Sequence, residues 1–124
     1  MEGYSTTIRE VSRELTARER IKLKDTTNAI KLDEAANEAP FVFTPVAYAI
    51  LDIHNEKSDN KDYPNYIIMD DAGNKYVTGS ESFWNAFKEI WDEMVNEKEP
   101  YEIEVYKVDS KNYKGKQFIT CSIV

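Results

Sequence analysis

The chain has 124 residues, 41% apolar and 31% charged, with four glycines, four prolines and a formal net charge of −7. Such a composition belongs to a globular domain with a real core, and it excludes collagen-like chains, linkers and proteins that coat DNA by bulk positive charge. With no run near the ~18 apolar residues of a membrane span, no apolar leader and one cysteine, a soluble protein of the reducing cytoplasm is expected, without a membrane partner.

Residues 1–39 are expected to form a partly helical N-terminal extension to a domain spanning 40–124. Thr16-Ala-Arg-Glu19 has the form of a capping box, which predicts a short helix near 17–25. Arg20–Lys24 and Ala29–Asp33 also alternate apolar and polar residues, so either could instead be a strand. FVFTPVAYAILDI (41–53) is β-branched and aromatic and reads as a strand, with Pro45 marking an edge or bulge. HNEKSDNKDYP (54–64) reads as a polar loop. NYIIMDDAGNKYVTG (65–79) holds two short strands around Asp70–Asn74, where Gly73 suits a turn with positive φ.

The clearest helix is 81–97. Phe83, Phe87, Ile90, Trp91 and Met94 make one apolar stripe, which Trp84 and Val95 widen. Ser80 or Ser82 can cap its start, and Pro100 stops it. YEIEVYKV (101–108) and QFITCSIV (117–124) alternate as strands, so SKNYKGKQF (110–118) is read as the hairpin loop joining them.

Charge is unevenly spread along this order. Residues 80–100 carry six acids against two lysines, a net −4. Residues 9–24 carry six bases against three acids, and 110–118 carry three lysines and no acid. A local basic patch on an acidic protein can still hold a polyanion.

Three strands, a helix and two strands is the order of an OB-fold. The fold class expected is therefore mainly β (α+β), an OB-fold-like five-stranded barrel with one amphipathic helix between strands three and four, plus the N-terminal extension. An open α+β sheet covered by the helix has the same order. Nucleic acid usually crosses an OB-fold on its second and third strands, between the one–two and four–five loops. Those places hold Lys57, Lys61 and Tyr63; then Tyr66, Lys75 and Tyr76; then Lys111, Tyr113, Lys114 and Lys116, flanked by Tyr106 and Phe118. Aromatic faces stack bases and lysines take phosphates, the two requirements for holding a single strand. Tyrosines are equally ordinary strand residues, and lysines at a hairpin tip also block edge pairing.

No catalytic signature competes with this reading, and no enzyme or cofactor is expected. Asp52, His54 and Glu56 alternate on one strand face, but a metal centre needs three or four converging ligands and a solvated histidine accounts for them. Gly79-Ser-Glu-Ser82 is explained as a helix cap, Cys121 as a small buried apolar residue, and Trp84 and Trp91 as core.

GNKYVTGSESFWNAFKEIWDEM (73–94) and EVYKVDSKNYKGKQFITCSIV (104–124) together resemble small single-stranded-DNA-binding proteins of phages and related mobile elements. The resemblance implies an OB-like fold, non-catalytic binding of strands being replicated or transferred, and contacts from Lys111, Tyr113, Lys114 and Lys116, with Tyr76 and Phe118 less securely. The function expected is single-stranded DNA binding with little sequence preference. Tyr66, Tyr76, Tyr106, Tyr113 or Phe118 would stack bases, and Lys75, Lys111, Lys114 and Lys116 would take phosphates, with Arg18, Arg20, Lys22 and Lys24 in support. Exposed strand edges would allow a homo-oligomer. The alternative is an acidic adaptor or inhibitor that binds another protein through residues 80–100.

Overall fold

The structure is a computed structural model that describes residues 4–12, 14–25, 29–57, 61–97, 99–109 and 117–124. Among these residues lie eight strands and three helices, in a five-stranded and a three-stranded sheet. The chain divides into two compact units, Met1–Ile30 with Val46–Gly79, and Lys31–Pro45 with Ser80–Val124. No helix among the described residues is long and apolar enough to cross a membrane.

The first unit is built on the five-stranded sheet. β1 (Tyr4–Val11) draws its extended character from Thr6, Thr7, Ile8 and Val11 and runs antiparallel to β4 (Pro45–Asn55). Their register shifts between Ile8 and Glu10. A bulge at Arg9 lets Ile8 and Val11, three residues apart, both pack on the same core. β5 (Asp62–Asp70) and β6 (Lys75–Thr78) form the predicted hairpin, paired from Tyr66↔Thr78 to Met69↔Lys75, with Gly73 at φ +87° in its turn. With the two-residue β2 (Ile30–Lys31), the sheet order is β1-β4-β5-β6-β2. One face buries Leu51, Ile53, Ile67 and Val77 with Leu15 and Leu23. Leu23 comes from α1 (Ala17–Lys24), whose capping box is complete: Thr16 Oγ1 accepts from the Glu19 N–H, and Glu19 accepts from the Thr16 N–H.

In the second unit, α2 (Leu32–Glu38), β3 (Phe41–Phe43), α3 (Glu81–Met94), β7 (Ile103–Asp109) and β8 (Gln117–Ile123) assemble around a three-stranded sheet, β3-β7-β8. Ser80 Oγ caps α3 by accepting from the Phe83 N–H at 3.2 Å. The apolar stripe does what its spacing predicts: Phe83, Trp84 and Phe87 are buried, and α3 packs along β8. Trp84 and Trp91 close on Phe87 from either side at 5.3 and 5.8 Å between ring centroids. Ile103, Val105, Ile119 and Cys121 supply the sheet's buried face. Each large apolar side chain so buried contributes roughly 1.5–3 kcal/mol.

No closed barrel forms, which corrects the expected architecture. The reason lies in two edges. The predicted first strand divides at Thr44-Pro45, because proline brings no N–H to continue a ladder; Phe41–Phe43 pair with β7 while β4 joins the other sheet. The N-terminal segment then supplies β1, which takes the side of β4 left open by β5. With both sides of β4 and both sides of β7 occupied, the strand that would open a barrel has no edge left for the strand that would close it. The helix predicted over 81–97 ends as α3 at Met94, and the alternating run 29–33 divides between β2 and the start of α2.

Candidate nucleic-acid interface

The outward face of the three-stranded sheet is set by cross-strand pairing. Val42 pairs with Glu104, Glu104 with Ser122, Tyr106 with Thr120, and Val108 with Phe118, so all seven side chains share one face, opposite the buried one. Phe118 is 40% exposed, and the Tyr106 ring is half-buried, its hydroxyl sharing a 2.6 Å hydrogen bond with Ser122 Oγ. Two aromatics thus stand on one sheet face, with Phe118 nearer the end of the ladder. The ladder closes at Asp109↔Gln117, where Gln117 Nε2 donates to Asp109 Oδ1 at 3.1 Å. Lys111, Tyr113, Lys114 and Lys116, nominated from the sequence, lie between these two residues and outside the described residues. Val42, Glu104, Val108, Thr120 and Ser122 complete the face, Glu104 being its one acid, and none was nominated as a site residue from the sequence, although the alternation of 101–108 and 117–124 carries the signal for all but Val42.

The other nominated residues sit in the first unit. Tyr66 and Tyr76 are each 6% exposed, so neither offers an open ring face for a base. Tyr76 donates from its hydroxyl to Asp70 Oδ2 at 2.7 Å. Burial, reinforced by that carboxylate, pushes its phenol up to about 12. Asp70 is itself buried, which disfavours its charge. Bonds from Tyr76, from the Asn74 side chain and backbone, and from the Ala72 N–H outweigh that penalty and hold its pKa below the usual carboxylate range. Lys75 donates its ammonium to the carbonyls of Lys22 and Asp25, at the C-terminal end of α1, and partial burial lowers its pKa. That is the job of a helix C-terminal cation, satisfying carbonyls the helix leaves open.

Nor do Asp52, His54 and Glu56 converge. Asp52 forms a two-pronged pair with Arg9, through Nε at 3.0 Å and through the terminal nitrogen. His54 Nδ1 lies 2.7 Å from Asp62 Oδ1 and Nε2 lies 2.7 Å from Glu56 Oε1. Only an imidazolium can donate at both ends, and these two bonds raise its pKa above the usual histidine range. Two carboxylates on opposite ring nitrogens cannot share one ion. Among the described residues, no group of three or more His, Cys, Asp or Glu side chains is arranged to hold a metal.

Compared with known proteins, the chain matches no family model, no curated protein and no solved structure.

Proposed function

We propose that the protein binds single-stranded DNA with little sequence preference, through the outward face of β3-β7-β8 and the lysine-rich stretch that follows β7, without a chemical step. One observation carries the reading: Tyr106 and the 40%-exposed Phe118 share a sheet face at the end of a ladder whose strands are joined by seven residues holding three lysines, a tyrosine and no acid. Stacking asks for an exposed ring at a fixed place, and phosphates ask for cations beside it. Phe118 and Tyr113 stack, while Lys111, Lys114 and Lys116 pair with the backbone. Tyr66, Tyr76 and Lys75 take no part, because the sheet and α1 already use them. The resemblance of residues 73–94 and 104–124 to small phage and mobile-element binding proteins points the same way, toward strands being replicated or transferred.

The test is fluorescence anisotropy of labelled oligo-dT against a duplex of equal length, over a salt series. With three phosphates neutralised, log Kd should change with log salt at a slope of about 2, from roughly 0.7 per phosphate on single strands. Lys111→Ala and Lys114→Ala should each flatten that slope. Equal binding to the duplex would reduce the interaction to charge attraction, and no binding at low salt would end the reading.

A further inference from the structure

The second unit carries a groove that its own core does not need. Glu89, Ile90, Glu93 and Met94 of α3 and Ile123 of β8 line an open depression of about 420 Å³. Its floor is apolar, Ile123 being about half exposed, and its rim is acidic, with Glu89 and Glu93 one helical turn apart and both exposed. The charge of residues 80–100, at −4, extends the acidic rim beyond the groove.

The first unit carries the complementary shape. α1 buries only Leu23 and exposes Arg18, Arg20, Ile21, Lys22 and Lys24. Ile21 is 70% exposed, which is unusual for isoleucine, and it stands on the side of α1 away from Leu23. Arg18 and Lys24 lie three residues before and after it, so on a helix both flank it on the same face. An apolar side chain flanked by two cations on one helix matches an apolar floor bordered along one side by two carboxylates on another.

We infer that α1 of one copy of this chain docks into the α3–β8 groove of a second copy. Ile21 enters between Ile90, Met94 and Ile123, and Arg18 and Lys24 pair with Glu89 and Glu93. At −7 each, two copies repel overall, so a contact between them has to match opposite local charges, as this one does. The two surfaces are different patches, so the contact is heterologous: each copy keeps one free helix and one free groove, and the assembly grows as a row unless it closes into a ring. The inference does not rest on DNA binding and is tested without DNA.

Sedimentation velocity of the full chain, from low-micromolar to near-millimolar concentration, should show the sedimentation coefficient rising with concentration. Arg18→Glu with Lys24→Glu, and separately Glu89→Lys with Glu93→Lys, should each weaken association about tenfold or more, since like charges then meet across the contact. An equimolar mixture of the two variants should recover the parent's association, because the unreversed helix of one fits the unreversed groove of the other and the two reversed surfaces fit each other. The chain bearing all four reversals should associate like the parent, which separates lost complementarity from a damaged fold. A parent that stays monomeric overturns the proposal and leaves the groove to a basic segment of another protein. A variant that associates like the parent, or a mixture that stays monomeric, overturns it equally.

Discussion

The hydroxyl of Tyr76 reaches back across the β5–β6 turn to Asp70 Oδ2, 2.7 Å away, and so joins the two ends of a hairpin whose tip is also held by the backbone amides of Ala72 and Asn74 and by the Asn74 side chain. Tyr76→Phe should lower stability at neutral pH by about 1–2 kcal/mol, since a buried carboxylate loses a donor. The pH dependence has a definite sign. Asp70 has a depressed folded pKa, so its contribution is present above the ordinary carboxylate range and is lost as pH falls through the folded value. Urea midpoints at pH 7 and pH 3 should therefore converge in Asp70→Asn relative to the parent; an unchanged difference would remove Asp70 from the acid response.

Tyr101 is the opposite case. Its hydroxyl is buried with no hydrogen-bond partner among the described residues, and burial pushes its phenol up to about 12. Tyr101→Phe removes a desolvated polar atom and leaves the ring, so it should raise stability by about 1 kcal/mol. A fall in urea midpoint would mean that the hydroxyl has a partner in solution.

His54 should titrate above the usual histidine range, because both its nitrogens face carboxylates. A raised folded pKa means that its contribution is full below the unfolded value and is lost as pH rises through the folded one. Glu56, whose pKa is lowered chiefly by His54 and then Lys61, contributes above its unfolded value and loses that contribution in acid. The pair is therefore strongest between the two. Proton NMR of the imidazole should show Glu56→Gln and Asp62→Asn each moving the midpoint down, and an unmoved midpoint would break the assignment.

Cys121 lies on the buried face of β8, and burial pushes its thiol up to about 12. A thiol reagent at pH 8 should leave it unmodified in the native state and label it on unfolding in denaturant, because the thiolate is the reactive form. Rapid native labelling would mean that β8 opens easily.

Phe118→Ala should weaken oligo-dT binding by about 1–3 kcal/mol, the worth of one stacked base, while Phe118→Tyr retains it. Tyr66→Phe, buried in the other unit, should leave affinity unchanged. Anisotropy titrations of all three decide whether the outward face of β8 carries the strand.

Much of the fold was legible where one periodicity dominates. The apolar stripe of α3, the turn at Gly73, the capping box at Thr16 and the alternation of β7 and β8 all hold. What escaped depended on pairing across the chain. Tyr4–Val11 has β-branched residues but meets its partner 38 to 51 positions away, from Val11↔Ala49 to Tyr4↔Asn55, and nothing local announces β4. Tyr66, Lys75 and Tyr76 show why residue type alone misleads at a site. A tyrosine whose hydroxyl finds a buried carboxylate and a lysine that finds a helix end look, in sequence, like any exposed pair.

The backbone crosses between the two units at three places, Ile30/Lys31, Pro45/Val46 and Gly79/Ser80. Neither unit is therefore a contiguous stretch, and no single cut yields either one whole. A fragment starting at Ser80 keeps α3, β7, β8 and the lysine-rich stretch but loses β3, so the backbone groups with which β7 meets Phe41–Phe43 go unanswered. A fragment ending at Gly79 carries β3 without its partner. Truncation mapping on this chain would report lost folding as lost binding, and point substitutions are the instrument that separates the two.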